Sequence, residues 1–334
     1  MKTLSVCIIA KNEENNLPRC IGSIEHIADE IIVVDTGSTD NTALIAEGFG
    51  AKVISYPFNN DFSEVRNVAV DNATCDWILY IDCDEAVNFE DAYTLKDIIQ
   101  DTTYIGMCLK LMNIIDQKPS LSCPSLRVFK NYEGFRFTGK IHEQLLPSIH
   151  EKYTDDDVLT TSIALLHYGY DEKINNMEAK NKRNLDIFKT YEDDEKDGFY
   201  FYNLGNQYLS SGDFENALKN YKISLTYPDN LNGYKLYLPI YITKAYFDLR
   251  RYNEAIESAL QFLKEYPTFK DLHFLAAASY YELEDYIRAK GFFINYLEFS
   301  RVNYGFPDYN LAASNDIPKL LVELDEKIFA LSNQ

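Results

Sequence analysis

The stretch Asp76-Trp77-Ile78-Leu79-Tyr80-Ile81-Asp82-Cys83-Asp84-Glu85 ends a short apolar run in three carboxylates. The run is too brief for a stable helix and is rich in aromatic and β-branched side chains, so it reads as a buried strand. Acids crowded at one strand end repel each other unless a cation neutralises them, and hard divalent ions such as Mg2+ or Mn2+ prefer oxygen ligands. Mg2+ in particular is commonly held by one or two carboxylates together with the phosphate oxygens of a substrate. An Asp-x-Asp taken alone reads more readily as a solvated acidic turn. The surrounding chain reverses that reading.

The elements that must position these acids alternate. Leu4 to Ala10 reads as a first strand, and Leu17 to Ile24 has the apolar spacing of a helix lying on a sheet. Ile31 to Asp35 is a second buried strand. It stops at Thr36-Gly37-Ser38-Thr39-Asp40-Asn41-Thr42, where glycine permits the turn and Ser38, Thr39 or Asp40 can cap a helix running through Phe49. Ala51 to Tyr56 is a third strand, and helical Phe62 to Asn72 leads into the acidic stretch. Such an order predicts an α/β domain with a mostly parallel sheet, which binds ligands at the carboxyl ends of its strands. Glu13, Asp35 and Asp82 fall at or just past such ends, so three distant segments should converge on one crevice. No Gly-x-Gly-x-x-Gly follows the first strand and no Walker phosphate loop occurs, which argues against a dinucleotide dehydrogenase or a P-loop NTPase.

At 334 residues the chain has room for two domains. Acids outnumber bases 52 to 32, and the formal charge of −20 argues against nucleic acid as a partner. No apolar run is long enough to span a bilayer. The apolar start is only strand-length and lacks a small-residue cleavage site, so it reads as core rather than as a signal peptide. All six cysteines (Cys7, Cys20, Cys75, Cys83, Cys108 and Cys123) lie in the first half without a Cys-x-x-Cys pair, which suits reduced thiols in a cytoplasmic protein.

Four segments in order, Ile9 to Glu14, Val33 to Thr42, Asn60 to Asn67 and Trp77 to Glu85, resemble the successive motifs of family 2 glycosyltransferases of the GT-A fold. The similarity extends to the subgroup that couples this domain to tetratricopeptide repeats and includes the sublancin-type peptide S-glycosyltransferases. Its later motifs have counterparts in Phe137 to Glu143, His167-Tyr168-Gly169-Tyr170 and Lys180 to Asn184. Cys83 stands where the middle residue is usually Ala, a small-for-small change that leaves both acids in place.

The resemblance implies a nucleotide-sugar donor, usually a UDP-sugar, and suggests roles. Asp35 would accept a hydrogen bond from the uracil ring, with Ala10, Asn12 and Glu13 beside the nucleoside. Asp82 would reach toward the ribose and the metal shell, next to Cys83. Asp84 would bind Mg2+ or Mn2+ directly, the ion bridging the two phosphates. Arg66 is a fixed cationic fork suited to phosphate or to orienting Asp82 or Asp84. Inverting transfer needs a base for the acceptor proton. Glu143 is assigned that role, with His142 orienting it or contacting the acceptor, while His150-Glu151 reads as surface. His167 closes the last apolar run of the domain, where related enzymes often place a metal-binding imidazole. His26 and His273 lack acidic company and read as structural.

From Asp171 helical spacing takes over. Tyr200 to Tyr208, then Asp213 to Leu218 and Tyr221, match the tetratricopeptide pattern. Ala217, Ala255 and Ala289 recur at about the repeat period of roughly 34 residues, allowing a small insertion at Leu231 to Leu236. Ile317 to Leu331 reads as a capping helix. The expected organisation is a GT-A domain over 1–170, a helical linker over 171–198, and repeats with a cap over 199–334. Three repeats with a cap suffice for a continuous core and a concave surface, which either merely supports the catalytic domain or takes an acceptor peptide or a homo-oligomer contact. The expected function is metal-dependent inverting transfer of a sugar to a peptide, protein or glycan. The alternative is a peptide-binding scaffold whose transferase half has degenerated.

Overall fold

The structure is a computed structural model describing residues 1–115, 118–169, 177–228, 233–302 and 316–332. Tyr170, the first part of the expected linker (171–176), and Leu231 and Asn232 of the expected insertion lie outside the described residues. The chain forms two compact units, Met1–Thr190 and Tyr191–Gln334.

The first unit is built on one eight-stranded sheet: β1 (Leu4–Ala10), β2 (Glu30–Asp35), β3 (Lys52–Ser55), β4 (Trp77–Tyr80), β5 (Glu85–Val87), β6 (Gly106–Ile115), β7 (Lys118–Lys130) and β8 (Val158–His167), in the order β3-β2-β1-β4-β7-β6-β8-β5. The four strands at the β3 side run parallel, as strand–helix alternation requires. Beyond them β7 pairs antiparallel with β4 and with β6, so the second half of the sheet is mixed. Buried on both faces, β1, β2 and β4 are apolar almost throughout rather than alternating.

Helices cover both faces. On one, α1 (Leu17–Ile24), α2 (Thr42–Gly48) and α4 (Phe89–Asp101) pack on Val6, Ile8, Val33, Trp77 and Leu79. On the other, α3 (Phe62–Asn72) and α5 (Leu146–His150) enclose Cys7, Ile32, Val34, Ile78 and Phe129. Each such fully buried aliphatic or aromatic side chain contributes about 1.5–3 kcal/mol through its removal from water. Two helices begin as the sequence suggests. Asp61 caps α3 by accepting from Glu64 N at 2.9 Å, and Pro18 occupies the first turn of α1. Ahead of α2 the N-cap residue is Asn41 rather than Ser38, Thr39 or Asp40, and it makes no side-chain cap bond; Asp40 instead braces the start from outside, its Oδ1 accepting from Thr42 N at 3.0 Å. α6 (Met177–Phe188) completes the unit.

The second unit is a succession of helical hairpins: α7 (Gly198–Ser210) with α8 (Phe214–Thr226), α9 (Leu238–Asp248) with α10 (Tyr252–Leu263), α11 (Lys270–Glu282) with α12 (Tyr286–Phe299), and α13 (Ile317–Ser332) against α12. Ala217, Ala255 and Ala289 are all fully buried at the start of the second helix of their hairpins. Gly205 permits a close approach of the two helices, because a Cβ there would lie 2.5 Å from the Tyr221 ring. The turn before each second helix holds one left-handed residue: Gly212 (φ 77°), Arg250 (φ 58°) and Glu284 (φ 61°). Only the first is the residue type that takes this backbone without strain.

Candidate active site

Register sets the first part of the site. Ala10 and Asp35 are paired at the ends of β1 and β2, and Thr36 donates from both its N–H and its hydroxyl to Ala10 O. Asp35 is 8 % exposed and accepts from Ser38 N at 3.1 Å. The loops after these strands are stitched together. Asn12 N donates to Ser38 Oγ at 2.8 Å, Asn12 Oδ1 accepts from Thr39 N at 2.8 Å, and Glu13 N donates to Thr42 Oγ1 at 2.7 Å. Asn12 adopts φ 55°, a left-handed conformation that Asn tolerates better than most residues. Glu13 Oε2 accepts from Asn16 Nδ2 at 2.9 Å.

The acidic stretch follows β4 and crosses beside β1. Ile81 N donates to Cys7 O, and Cys83 Sγ lies 3.3 Å from Ile9 O, which fits a small side chain between two strand ends. Cys83 and Cys20 are buried, and burial pushes both thiols up, away from reactivity. All six cysteines are free thiols.

A buried ionic network fills the base of the site. Arg66, on α3, donates through Nε to Glu143 Oε1 at 2.6 Å and through NH2 to Asp82 Oδ1 at 2.9 Å. Of the partners the sequence offers Arg66, the structure therefore assigns Asp82, and it adds Glu143. Arg127, on β7, donates through NH2 to Glu85 Oε1 at 2.7 Å, and its NH1 lies 3.8 Å from Asp82 Oδ2. Glu85 Oε2 accepts from Asp82 N at 2.9 Å. The Tyr80 ring lies against both guanidiniums, 4.9 Å from Arg66 and 4.7 Å from Arg127. Burial would raise the Asp82 carboxyl, but Arg66 and Arg127 outweigh it and hold Asp82 below its ordinary value. Glu85 goes the other way: burial pushes it up to about 7 against the pull of Arg127. Burial opposes the charge on Arg66, and the carboxylates of Asp82 and Glu143 more than restore it.

α3 also fixes the segment that carries His142 and Glu143. Asn67 clamps Phe137, donating to its carbonyl at 3.0 Å and accepting from its N–H at 2.9 Å. Thr138 and Gln144 exchange backbone hydrogen bonds at 2.9 Å each, closing the intervening residues into a tight loop in which Gly139 (φ 90°) and His142 (φ 55°) are left-handed. Phe62 N donates to Lys140 O at 2.8 Å. His142 is an exposed residue, and its ring lies 6.2 Å from that of Phe188 on α6. Arg183, also on α6, lies over Phe62.

Asp84 and His167 meet where β5 pairs with β8. Asp84 Oδ2 is 3.3 Å from His167 Nε2, and Tyr168 N donates to Asp84 O. His167 Nδ1 lies 2.8 Å from Asn113 Oδ1, a contact that fixes the ring beside Asp84. One carboxylate oxygen and one imidazole nitrogen so arranged suit Mg2+ or Mn2+, ions that draw their other ligands from phosphates and water. Among the described residues no group of three or more His, Cys, Asp or Glu side chains could hold a metal ion, so this pair by itself would leave most of an ion's coordination to other groups.

The residues that sequence reasoning passed over are Arg127, Glu85 as its partner, Tyr80 and Asn113. A cation inside the otherwise apolar Leu126-Arg127-Val128-Phe129 is the one signal that could have pointed to the first. No helix of the described residues is long and apolar enough to cross a membrane.

Residues 5–150 match the family described as glycosyl transferase family 2. The chain is 29% identical over 223 residues to the TPR repeat-containing protein Synpcc7942_0270 of Synechococcus elongatus, covering 65% of this chain and 55% of that protein. It is 28% identical over 188 residues to the SPbeta prophage-derived glycosyltransferase SunS of Bacillus subtilis, covering 55% and 44%. The chain thus spans about half the length of these relatives. Among solved structures, S. aureus TarS overlaps with a TM-score of 0.46 at 15% identity, covering 74% of this chain and 52% of that one. Glucosyl-3-phosphoglycerate synthase from Mycobacterium tuberculosis, crystallised with Mn2+, UDP and glucosyl-3-phosphoglycerate, overlaps with a TM-score of 0.43 at 18% identity, covering 56% and 78%. The matched segment falls within the first unit, whose strand ends carry the motifs, and the chain joins this glycosyl transferase family 2 region to a tetratricopeptide-like helical region.

Proposed function

We propose that the chain transfers a sugar, with inversion, from a UDP-sugar to an acceptor hydroxyl, thiol or amide. The observation that carries this reading is Arg66, which joins the carboxylate assigned to the donor, Asp82, to the one assigned to the acceptor, Glu143. One buried fork fixes both at once, and orientation of this kind supplies much of enzymatic rate enhancement.

Asp35 is an acceptor at a strand end and suits the imide N–H of uracil, while Ala10, Asn12 and Glu13 form the wall beside the nucleoside. Asp82 and Cys83 line the path toward the ribose. Asp84 and His167 would hold Mg2+ or Mn2+, which when bound supplies positive charge to a departing diphosphate. Arg66 engages Glu143 through Oε1, so Oε2 is the oxygen assigned to take the acceptor proton as the nucleophile attacks the anomeric carbon. His142, on the exposed side of the same loop, contacts the acceptor. The free thiols fit a reducing, cytoplasmic setting. The helical hairpins, which as tetratricopeptide-like repeats present an extended surface, favour a peptide or protein acceptor over a glycan.

The test is Mn2+-dependent release of UDP from a panel of UDP-sugars by purified protein, followed by mass measurement of added sugar on candidate peptides. Loss of UDP release in Asp84→Ala is the expected result. Release that persists undiminished in Asp84→Ala, or in EDTA, would overturn the metal-dependent reading.

A further inference from the structure

Arg127 has no role in the scheme above, yet its surroundings single it out. It is only 6 % exposed, and NH2 donates one hydrogen bond, to Glu85 Oε1. Nε and NH1 are buried and have no hydrogen-bond partner within the protein. Folded chains rarely leave such donors unmet, and an always-charged fork is a costly place to do so. NH1 points at Asp82: its 3.8 Å separation from Oδ2 is too long for a hydrogen bond but close for opposite charges. Arg66 meanwhile holds the other oxygen, Oδ1, at 2.9 Å. Glu85 links the remaining parts, taking Arg127 on Oε1 and the Asp82 N–H on Oε2. The residue that anchors Arg127 therefore also anchors the backbone of the carboxylate that Arg127 faces.

We infer that Arg127 is a positioning residue for the donor site: it is the second counter-ion of Asp82, and it completes a hydrogen bond to Oδ2 when the bound nucleotide-sugar draws that carboxylate about an ångström toward β7. This rests on the reading of Asp82 as a donor-contacting residue. The competing account makes Arg127 nothing more than the partner of Glu85.

A mutant cycle separates the two. Arg127→Gln alone would strand the Glu85 carboxylate, so the cycle is run in a Glu85→Gln background, with Arg127→Gln, Asp82→Asn and both together. Calorimetric titration of each protein with UDP in Mn2+ reads the effect. The positioning role gives a loss of UDP affinity of about tenfold on Arg127→Gln, the order expected for one hydrogen bond to a charged group, and no further loss when Asp82 is already Asn. Losses that multiply independently, or an unchanged UDP affinity accompanied only by a lower melting temperature, would overturn the inference and leave the donor reading intact. Absence of UDP binding by the unmodified protein would overturn the donor reading and this inference with it.

Discussion

The two units bury polar groups in opposite ways. In the first they are charged and interlocked: Arg66, Arg127, Asp82, Glu85 and Glu143 form one chain of ion pairs beneath the strand ends. In the second they are mostly neutral, and most donate to backbone carbonyls. Thr243 and Ser258 share a hydrogen bond, Ser224 donates to Gly198 O, and His273 Nε2 donates to Pro267 O at 2.8 Å. Aromatic stacking fills the rest, as in Tyr221 over Tyr241 at 5.3 Å. Buried charges cost several kcal/mol to desolvate and are weak devices for stability alone. Their concentration at the strand ends of one unit, and scarcity among the described residues of the other, is what the proposed site would need for electrostatic preorganisation.

The contrast can be broken most forcefully at Arg66. Arg66→Met strands Asp82 and Glu143, and a loss of about 3–5 kcal/mol is expected in denaturant unfolding of the first unit, with UDP binding abolished. A variant that kept near-normal stability and UDP affinity would deny that the network has a common hub. In the second unit the largest single effect should be steric. Gly205→Ala drives a methyl into the Tyr221 ring and should cost about 1–3 kcal/mol, despite the better helix propensity of Ala, while UDP affinity stays unchanged. Hydrogen exchange on α7 and α8 peptides would read it.

Acidification should separate the units by sign. Burial lowers His273 below its ordinary value, so the unfolded chain binds its proton first, and the helical unit loses stability as pH falls through about 6.5. Glu85, raised to about 7, has the opposite linkage: the folded form binds the proton first, so this group adds stability as pH falls from about 7 toward its unfolded value near 4.5. Asp82, held low, adds an acid loss only below about pH 4, its unfolded value. Amide exchange, corrected for intrinsic rates, should therefore accelerate in α11 and slow in β4 and β7 between pH 7 and 5. His273→Phe and Glu85→Gln should each flatten one of the two slopes, and parallel responses in both units would contradict the assignment. The smallest effect belongs to the hairpin turns. Arg250→Gly or Glu284→Gly removes left-handed strain and should stabilise the helical unit by about 1 kcal/mol, measurable as a rise in melting temperature.

Much of this was legible beforehand where one segment carries its own signal. The α1 limits follow from apolar spacing, α3 runs over Phe62 to Asn72 as expected, β8 ends at His167, and the three alanines keep the repeat period. What escaped depends on partners distant in sequence. Arg127 meets Glu85 across 42 residues, and Asn113 meets His167 across 54, and no spacing rule connects such pairs. The mixed half of the sheet was hidden for a similar reason: β5 has three residues, too few to display a period, and its pairing with β8 is long-range. The hairpin turns were concealed by chemistry, since glycine marks the first one while Arg250 and Glu284 take the same backbone in the others.

Arg66 and Asn67 are consecutive residues, yet one grips two carboxylates and the other grips Phe137. A helix turns through about 100° per residue, so losing or gaining a single position between the Asp61 cap and Arg66 would swing both anchors off target together. The first turn of α3 therefore acts as a ruler. Its length should tolerate no insertion or deletion, even where its individual side chains accept exchange.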